Sequence, residues 1–250
     1  MSSLSREEIL LLFDVDGTLT PARKTIEKEF EEFLYTKVKS KATIGVVSGS
    51  DLAKIKEQLN GDSLVDNFDY VFPENGLVFI KNGVEISKQS IQKHLGEANI
   101  KRLINFCLHY IADLDIPIKR GTFIDFRNGM INICPIGRQC TYEERLVFNK
   151  YDDEHQVRIK MVEALKKEFA DVDITFAIGG QISIDAFPNE WDKRYSLHHV
   201  GTNFKEIHFF GDKTSIGGND HEIFADPRTI GHTVVDPKDT ERQLAELLNL

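Results

Sequence analysis

Two aspartates, Asp14 and Asp16, stand one residue apart directly after five apolar residues, Ile9 to Phe13. An all-apolar run of that length suits a strand buried on both faces of a parallel sheet. Ligands of such sheets bind beyond the C-terminal ends of the strands. Acids at i and i+2 on a strand end point the same way and repel at neutral pH, which folding tolerates best with positive charge beside them. An Asp-Gly pair alone reads as a plain turn; DVDGT directly behind a hydrophobic strand reads as a site. Two further runs that read as buried strands end in polar loops. Thr43 to Val47 leads into Ser48-Gly49-Ser50-Asp51, and Glu206 to Phe210 leads into Gly211-Asp212-Lys213-Thr214. If these strand ends converge, Asp14, Asp16 and Asp212 form a hard, oxygen-rich site. Mg²⁺ prefers few carboxylates, with waters and a phosphate oxygen completing its shell. Ser48 and Lys193 add a hydroxyl and a cation suited to a phosphoryl group. In that chemistry Asp14 is the candidate nucleophile, forming an aspartyl phosphate. Asp16 is the candidate general acid and base. Taken singly, Ser48 reads as an ordinary helix cap and Lys193 as a surface lysine; their order and placement carry the reading.

The elements that must hold these residues alternate strand and helix. Ile26, Phe30, Phe33, Leu34 and Val38 share one helical face. Ser50 or Asp51 can cap a helix whose core face is Leu52, Ile55 and Leu59. A third strand, Asp69 to Phe72, precedes a hairpin that turns at Asn82-Gly83. The character then changes. An amphipathic helix carries Ile100 to Ile111, and a hairpin turns at Asn128-Gly129 between arms Gly121–Arg127 and Met130–Pro135. Thr141 with Glu144 reads as a capping box. Another helix carries Val157 to Phe169, and strands Ile174–Ile178 and Gln181–Phe187 meet at Gly179-Gly180. Helices against an antiparallel sheet form a unit distinct from the parallel one. The expected organisation is therefore α/β: a Rossmann-like parallel-sheet core, residues 1–86 and 188–250, with an inserted α+β domain at 87–187. After Pro188 the expected elements are a helix at Lys193–Val200, the strand Glu206–Phe210, a short helix at His221–Phe224, a last strand at Val234-Val235 and a closing helix Asp239–Leu248.

Composition narrows the class. A chain of 250 residues with 41% hydrophobic and 28% charged content reads as an ordinary globular protein. Its net charge of −9 argues against a general nucleic-acid binder. No apolar run approaches the roughly 20 residues that span a bilayer, so no membrane partner is expected. The segment MSSLSREE lacks a basic-then-apolar export pattern. Cys107, Cys134 and Cys140 are too few and scattered for a disulfide framework or a zinc site. A reduced, cytoplasmic setting is the simple expectation.

DVDGT, VSGSD, Lys193 and GDKTSIGGND resemble the four motifs of the haloacid-dehalogenase-type phosphotransferases. FPENG and the long insertion resemble the branch with a large α/β cap. More narrowly, RGTFIDFRNGMINICPIGR, GGQISIDAFPNEWDKRY and GDKTSIGGNDHEIF resemble the eukaryotic-type α-phosphomannomutases, and the likeness spans nearly the whole chain. It implies interconversion of mannose 6-phosphate and mannose 1-phosphate, which supplies GDP-mannose synthesis, with Mg²⁺, a hexose 1,6-bisphosphate activator and a cytosolic homodimer joined through the caps. It implies that Asp14 is the nucleophile and Asp16 the acid/base. Asp14, the Asp16 backbone carbonyl and Asp212 would hold Mg²⁺. Arg23, Arg127, Arg138, Arg145, Ser183 and Asp185 match substrate contacts, and Phe224, Asp226 and Thr229 match a second cation loop. No departure from the family pattern occurs at these positions.

The residues of the insertion make physical sense in a mutase, which must hold its sugar by the phosphate that is not reacting. Arg127, Arg138 and Arg145 all lie there, and guanidinium forks suit phosphate. Each arginine also has a plain alternative, a solvated face or a salt bridge such as Arg145 with a neighbouring glutamate. Ser183 and Asp185 alternate with Ile182 and Ile184, so they share one strand face and can meet sugar hydroxyls. The cap is expected to open and shut about hinges flanked by Gly83 and Pro188. Two rivals remain: a Mg²⁺-dependent sugar-phosphate phosphatase, in which water discharges the aspartyl phosphate, and a catalytically idle scaffold. The arginine cluster argues against the first, and the four intact motif residues against the second.

Overall fold

The computed structural model describes residues 5–22, 24–61, 67–200 and 202–250; Arg23 lies outside the described residues. The first stretch runs β1 (Ile9–Phe13), α1 (Lys28–Phe33, continued by a wider π turn over Leu34–Val38), β2 (Thr43–Val47), α2 (Leu52–Gln58), β3 (Tyr70–Phe72), β4 (Val78–Lys81) and β5 (Val84–Lys88). Then come α3 (Ile91–Asp113), β6 (Ile124–Phe126), β7 (Ile131–Ile133), α4 (Tyr142–His155), α5 (Val157–Glu168), β8 (Thr175–Gly179) and β9 (Ser183–Phe187). The last stretch holds α6 (Leu197–Val200, entered through a 3-10 turn at Lys193–Ser196), β10 (Glu206–Gly211), α7 (His221–Phe224), β11 (Ile230–Thr233) and α8 (Pro237–Leu248). Two compact units result: Met1–Lys88 with Glu190–Leu250, and Gln89–Asn189.

The first unit is built on a seven-stranded sheet of order β11-β10-β1-β2-β3-β4-β5. The pairs from β11 to β3 are parallel, and β4 and β5 add antiparallel strands. This is the expected α/β class. Burial explains the all-apolar strands. Leu11 and Phe13 face a cluster with Phe30, Leu34, Ile55 and Leu244, contributed by α1, α2 and α8. Leu10 and Leu12 face the opposite cluster, with Leu197, Val200 and Ile223 from α6 and α7. Asn82 and Gly83 carry φ of 47° and 78°, the left-handed pair that a two-residue hairpin between β4 and β5 requires.

The last strand of the core is not Val234-Val235. It is β11, Ile230–Thr233, paired to β10 from His208↔Ile230 to Gly211↔Thr233. As the sheet's edge it is only partly buried, so Gly231, His232 and Thr233 suffice there and no apolar run marks it. Val234 is buried and donates its N–H to Gly211 O at 3.0 Å, whereas Val235 is 82% exposed and leads into the Asp236 cap of α8.

The second unit has a four-stranded antiparallel sheet, order β6-β7-β9-β8. Its hairpins turn where the sequence predicts, at Asn128-Gly129 and after Gly179. α3 is longer than predicted and breaks at Gly96 (φ 75°). Thr141 and Glu144 form the expected reciprocal cap of α4. At the core of this unit Arg158 is buried against Asp152, with Nε to Oδ2 at 2.7 Å, and also donates to Gly180 O and Ser183 O. That set of bonds ties α5 to the turn that presents Ser183.

One prediction follows from the edge of the core sheet. His232 stacks on Phe210, with centroids 4.3 Å apart, and meets His208 Nδ1 at 2.9 Å. Burial first, and His208 second, lower its pKa from 6.5 to about 4. A folded value below the unfolded one favours the neutral ring. Its contribution is therefore complete above pH 6.5 and lost as pH falls toward 4. The thermal midpoint of His232→Gln should fall less across that window than that of the parent chain; parallel curves would show that His232 does not contribute.

Candidate active site

The three strands that carry the motif loops are neighbours in the order β10-β1-β2, all parallel, so their C-terminal ends lie side by side. Beyond β1, Asp14 N–H still donates to Phe210 O at 2.9 Å, extending the ladder by one residue. The chain then wraps on itself. The N–H groups of Thr18, Leu19 and Thr20 all donate to Val15 O, and Gly17 N–H donates to Thr20 O. Gly17 sits at φ +81°, and a Cβ there would come within 2.6 Å of Asp212 Oδ2. Only glycine lets this turn approach the end of β10 so closely.

Lys193 lies at the centre. The first residue of the 3-10 turn, 1% exposed, it places Nζ between Asp14 Oδ1 and Asp220 Oδ1, the latter at 2.5 Å. Asp14 is 4% exposed and Asp220 fully buried. One oxygen each of Asp14, Asp212 and Asp220 lie within 4.8 Å of one another. Four formal charges thus share one site, three negative and one positive. Burial pushes Asp14 up, Lys193 pulls it back and Asp220 adds to the rise, leaving it at about 6. Burial opposes the charge on Lys193, but Asp14 and Asp220 outweigh that and hold it above the ordinary lysine value. Burial, with Asp220, also raises Asp212. Asp212 Oδ1 is buried and has no hydrogen-bond partner among the described residues. A buried carboxylate oxygen without a donor is costly unless a cation meets it. The donor set, hard oxygens with surplus negative charge, fits a divalent ion such as Mg²⁺.

Asp16 stands apart from that trio. Its Oδ1 accepts from Gln58 Nε2 at 2.8 Å, and its carboxylate is not one of the three clustered oxygens. Ser48 directly follows β2, 5% exposed, with Oγ accepting from Ser50 N–H at 3.1 Å. Asp51, not Ser50, caps α2, accepting from Lys54 N–H at 2.8 Å. Asp220 was not singled out in the sequence. Its signal is weak: it closes the loop GDKTSIGGND and returns to Lys193 only in three dimensions, while its Oδ2 accepts from Lys213 N–H at 3.0 Å. Gln58 carried no sequence signal at all.

In the second unit, Asp125 Oδ2 accepts from Arg127 Nε and Nη2 at 3.0 and 2.9 Å and lies 3.5 Å from Arg138 Nε. Arg138 Nη1 donates to Asn132 Oδ1, and Asn132 Nδ2 donates to Asp185 Oδ1, both at 2.6 Å. The row Asp125, Asn132, Asp185 crosses β6, β7 and β9 in register. Arg127, Arg138 and Asp185 are thus brought together, through Asp125 and Asn132. Ser183, buried, donates to Gly179 O at 2.8 Å. Arg145 makes no ion pair with the described residues; the neighbouring Glu144 pairs with Arg120 instead.

Phe224, Asp226 and Thr229 lie on and after α7. Both Asp226 oxygens are held by Arg228, from Nε at 2.8 Å and Nη2 at 2.7 Å, and this pairing holds the carboxyl below its usual range. Thr229 Oγ1 donates to Ile223 O and Asp226 O. Among the described residues, no group of three or more acidic, histidine or cysteine side chains gathers there.

The model of the eukaryotic phosphomannomutase family matches residues 30–250. The chain is 63% identical to a phosphomannomutase of Drosophila melanogaster, over 100% of this chain and 99% of that one. It is 57% identical to phosphomannomutase 1 of Homo sapiens, over 97% and 93%, and 56% identical to a phosphomannomutase of Saccharomyces cerevisiae, over 98% and 96%. Among solved structures it is similar to an IMP-nucleotidase of Plasmodium falciparum, with TM-score 0.61 and 17% identity, covering 96% of this chain and 68% of that one. It is also similar to a trehalose-6-phosphate phosphatase of Aspergillus fumigatus, with TM-score 0.58 and 15% identity, covering 97% and 93%. At those identities the structures share the fold. The long, near-complete matches in sequence do more: the chain is an enzyme of the eukaryotic phosphomannomutase family.

Proposed function

We propose that this chain interconverts mannose 6-phosphate and mannose 1-phosphate by way of an aspartyl phosphate and a hexose 1,6-bisphosphate, and so supplies GDP-mannose synthesis in the cytoplasm. The observation that carries the reading is Lys193 buried between Asp14 and Asp220 beside the unpartnered oxygen of Asp212. Asp14 attacks the phosphoryl group of the bisphosphate. Its attacking Oδ is kept in place by Lys193, whose charge also offsets that on the moving phosphoryl oxygens. Asp16 protonates the sugar oxygen as it leaves and takes the proton back from the hydroxyl that attacks next. Ser48, in the loop that leads to the N-terminus of α2, receives a phosphoryl oxygen. Asp14, Asp212 and the Asp16 backbone carbonyl, backed by Asp220, would hold Mg²⁺, which supplies further neutralisation of phosphoryl charge.

Arg127, Arg138 and Arg145 grip the phosphate that is not being transferred, Ser183 and Asp185 receive sugar hydroxyls, and Arg23 is a further substrate contact. Asp125 holds two of these arginines beside one carboxylate oxygen, and pre-organised guanidinium forks lose little freedom on binding phosphate. Phe224, Asp226 and Thr229 form a second cation loop once Arg228 yields the Asp226 carboxylate. A homodimer joined through the inserted unit completes the reading.

Incubating mannose 1-phosphate with Mg²⁺ and catalytic hexose 1,6-bisphosphate should yield mannose 6-phosphate without matching free phosphate. Phosphate released mole for mole would make the enzyme a phosphatase instead. Asp14→Asn should abolish both outcomes. Arg138→Ala should raise KM for the sugar phosphate by about tenfold or more, with kcat changed less; an unchanged KM would remove Arg138 from the phosphate grip. In chelator-treated protein, Mg²⁺ should raise the unfolding midpoint, by an amount equivalent to about 3 kcal/mol at a hundred times its dissociation constant. Asp212→Asn should lose most of that shift, and a full shift in the variant would exclude Asp212 as a ligand.

A further inference from the structure

Gln58 is the last residue of α2, 1% exposed, and nothing in the fold explains its amide. Its Nε2 donates to Asp16 Oδ1 at 2.8 Å and reaches Thr20 Oγ1 at 3.5 Å. The Thr20 hydroxyl spends its own proton on Val15 O, so it turns lone pairs toward Gln58. Both neighbours are therefore acceptors, which fixes the amide with its nitrogen toward Asp16; the flipped amide would aim its oxygen at a carboxylate. The cost of this orientation is visible on the other side. Gln58 Oε1 is buried and has no partner among the described residues. A methionine or leucine of similar volume would leave no orphaned oxygen there, so the fold would be served as well or better by an apolar side chain.

We propose that Gln58 is a positioning residue for the proton-transferring carboxylate of Asp16. This rests on the reading of Asp16 as the acid and base, and deepens it. The donated N–H engages one oxygen of Asp16 and restrains rotation of the carboxyl group, so that the carboxylate is held at a fixed angle. The backbone fixes the amide in turn. Gln58 O accepts from Ile26 N–H at 2.8 Å, pinning the end of α2 to the segment that follows the Asp16 loop. Thr20 holds that loop from within. The bond thus joins two rigid anchors, where small displacements of a proton donor are expensive in rate.

Leaving-group chemistry tests this. A sugar alkoxide needs a proton as it departs from phosphorus; acetate, leaving from acetyl phosphate, does not. With both donors the product is the same phosphorylated Asp14, which can be counted by mass after acid quench. Gln58→Met should phosphorylate Asp14 from acetyl phosphate at close to the parent rate, yet lose about tenfold or more in kcat with the hexose bisphosphate donor, with KM little changed. Its unfolding midpoint should be equal or higher, and its Mg²⁺-dependent shift intact. Equal losses with both donors, or no loss with either, would overturn the proposal. Asp16→Asn is the control that separates the two layers. If it discriminates between donors and Gln58→Met does not, the role of Gln58 falls and that of Asp16 stands. If Asp16→Asn also treats both donors alike, the acid role of Asp16 falls and takes the proposal with it.

Discussion

Two carboxylates, Asp14 and Asp220, pair with one lysine in the core unit, a third, Asp212, lies beside them, and the charges do not cancel. Asp14, Asp212 and Asp220 bring more negative charge than Lys193 can offset. Water would screen the surplus at a surface, but a buried site has only its own groups for that. The rise in Asp14 and Asp212 is the same imbalance seen as proton affinity: each holds its proton more tightly because Asp220 is near and water is not. A site in this condition favours any cation it can admit. It also favours a ligand that arrives with a cation, as a phosphate ester does.

The rest of the core can be read as what it takes to assemble that imbalance. Parallel pairing of β10, β1 and β2 brings three loops to one end. Their flanking strands are apolar on both sides because helices cover both faces, so the polar residues are confined to the ends. Gly17 lets the β1 loop touch Asp212, and at Gly211 a Cβ would come within 2.7 Å of Asp220 Oδ2. Lys193 reaches in from a short turn that Asp192 caps, accepting from Arg194 N–H at 2.9 Å. The second unit solves a different problem. There Asp125 and Asn132 keep Arg127 and Arg138 oriented at a partly exposed surface. In the proposed function, the first unit receives a cation with a reacting phosphoryl group and the second a phosphate held at rest.

Much of this was legible in the sequence where chemistry follows chain order. β1 was written as an unbroken apolar run, β2 as a β-branched one, two hairpin turns as Asn-Gly pairs, and the α4 cap as a threonine three residues ahead of a glutamate. Where contacts are made across the fold, the sequence was silent. Asp220 reads as the end of a glycine-rich loop, and only its return to Lys193 gives it a part in the site. Gln58 meets Asp16 across more than forty residues of chain, and no spacing rule reaches that far. The edge strand β11 went to the wrong residues because an edge needs little hydrophobicity, and Val234-Val235 offered more than Ile230–Thr233 did. The plain alternative for Arg145, an ion pair with a neighbouring glutamate, is not realised among the described residues, where Arg120 takes Glu144.

The central claim is that the buried imbalance exists to make Asp14 accept a phosphoryl group. Mixing the Mg²⁺-loaded enzyme with hexose 1,6-bisphosphate, quenching in acid within the first turnover and mapping peptides by mass would test it most directly. The account predicts a single added phosphoryl group on the peptide that carries Asp14, assigned to Asp14 itself and absent from Asp14→Asn. A phosphoryl group on any other residue, or isomerisation that proceeds with Asp14 never labelled, would contradict it.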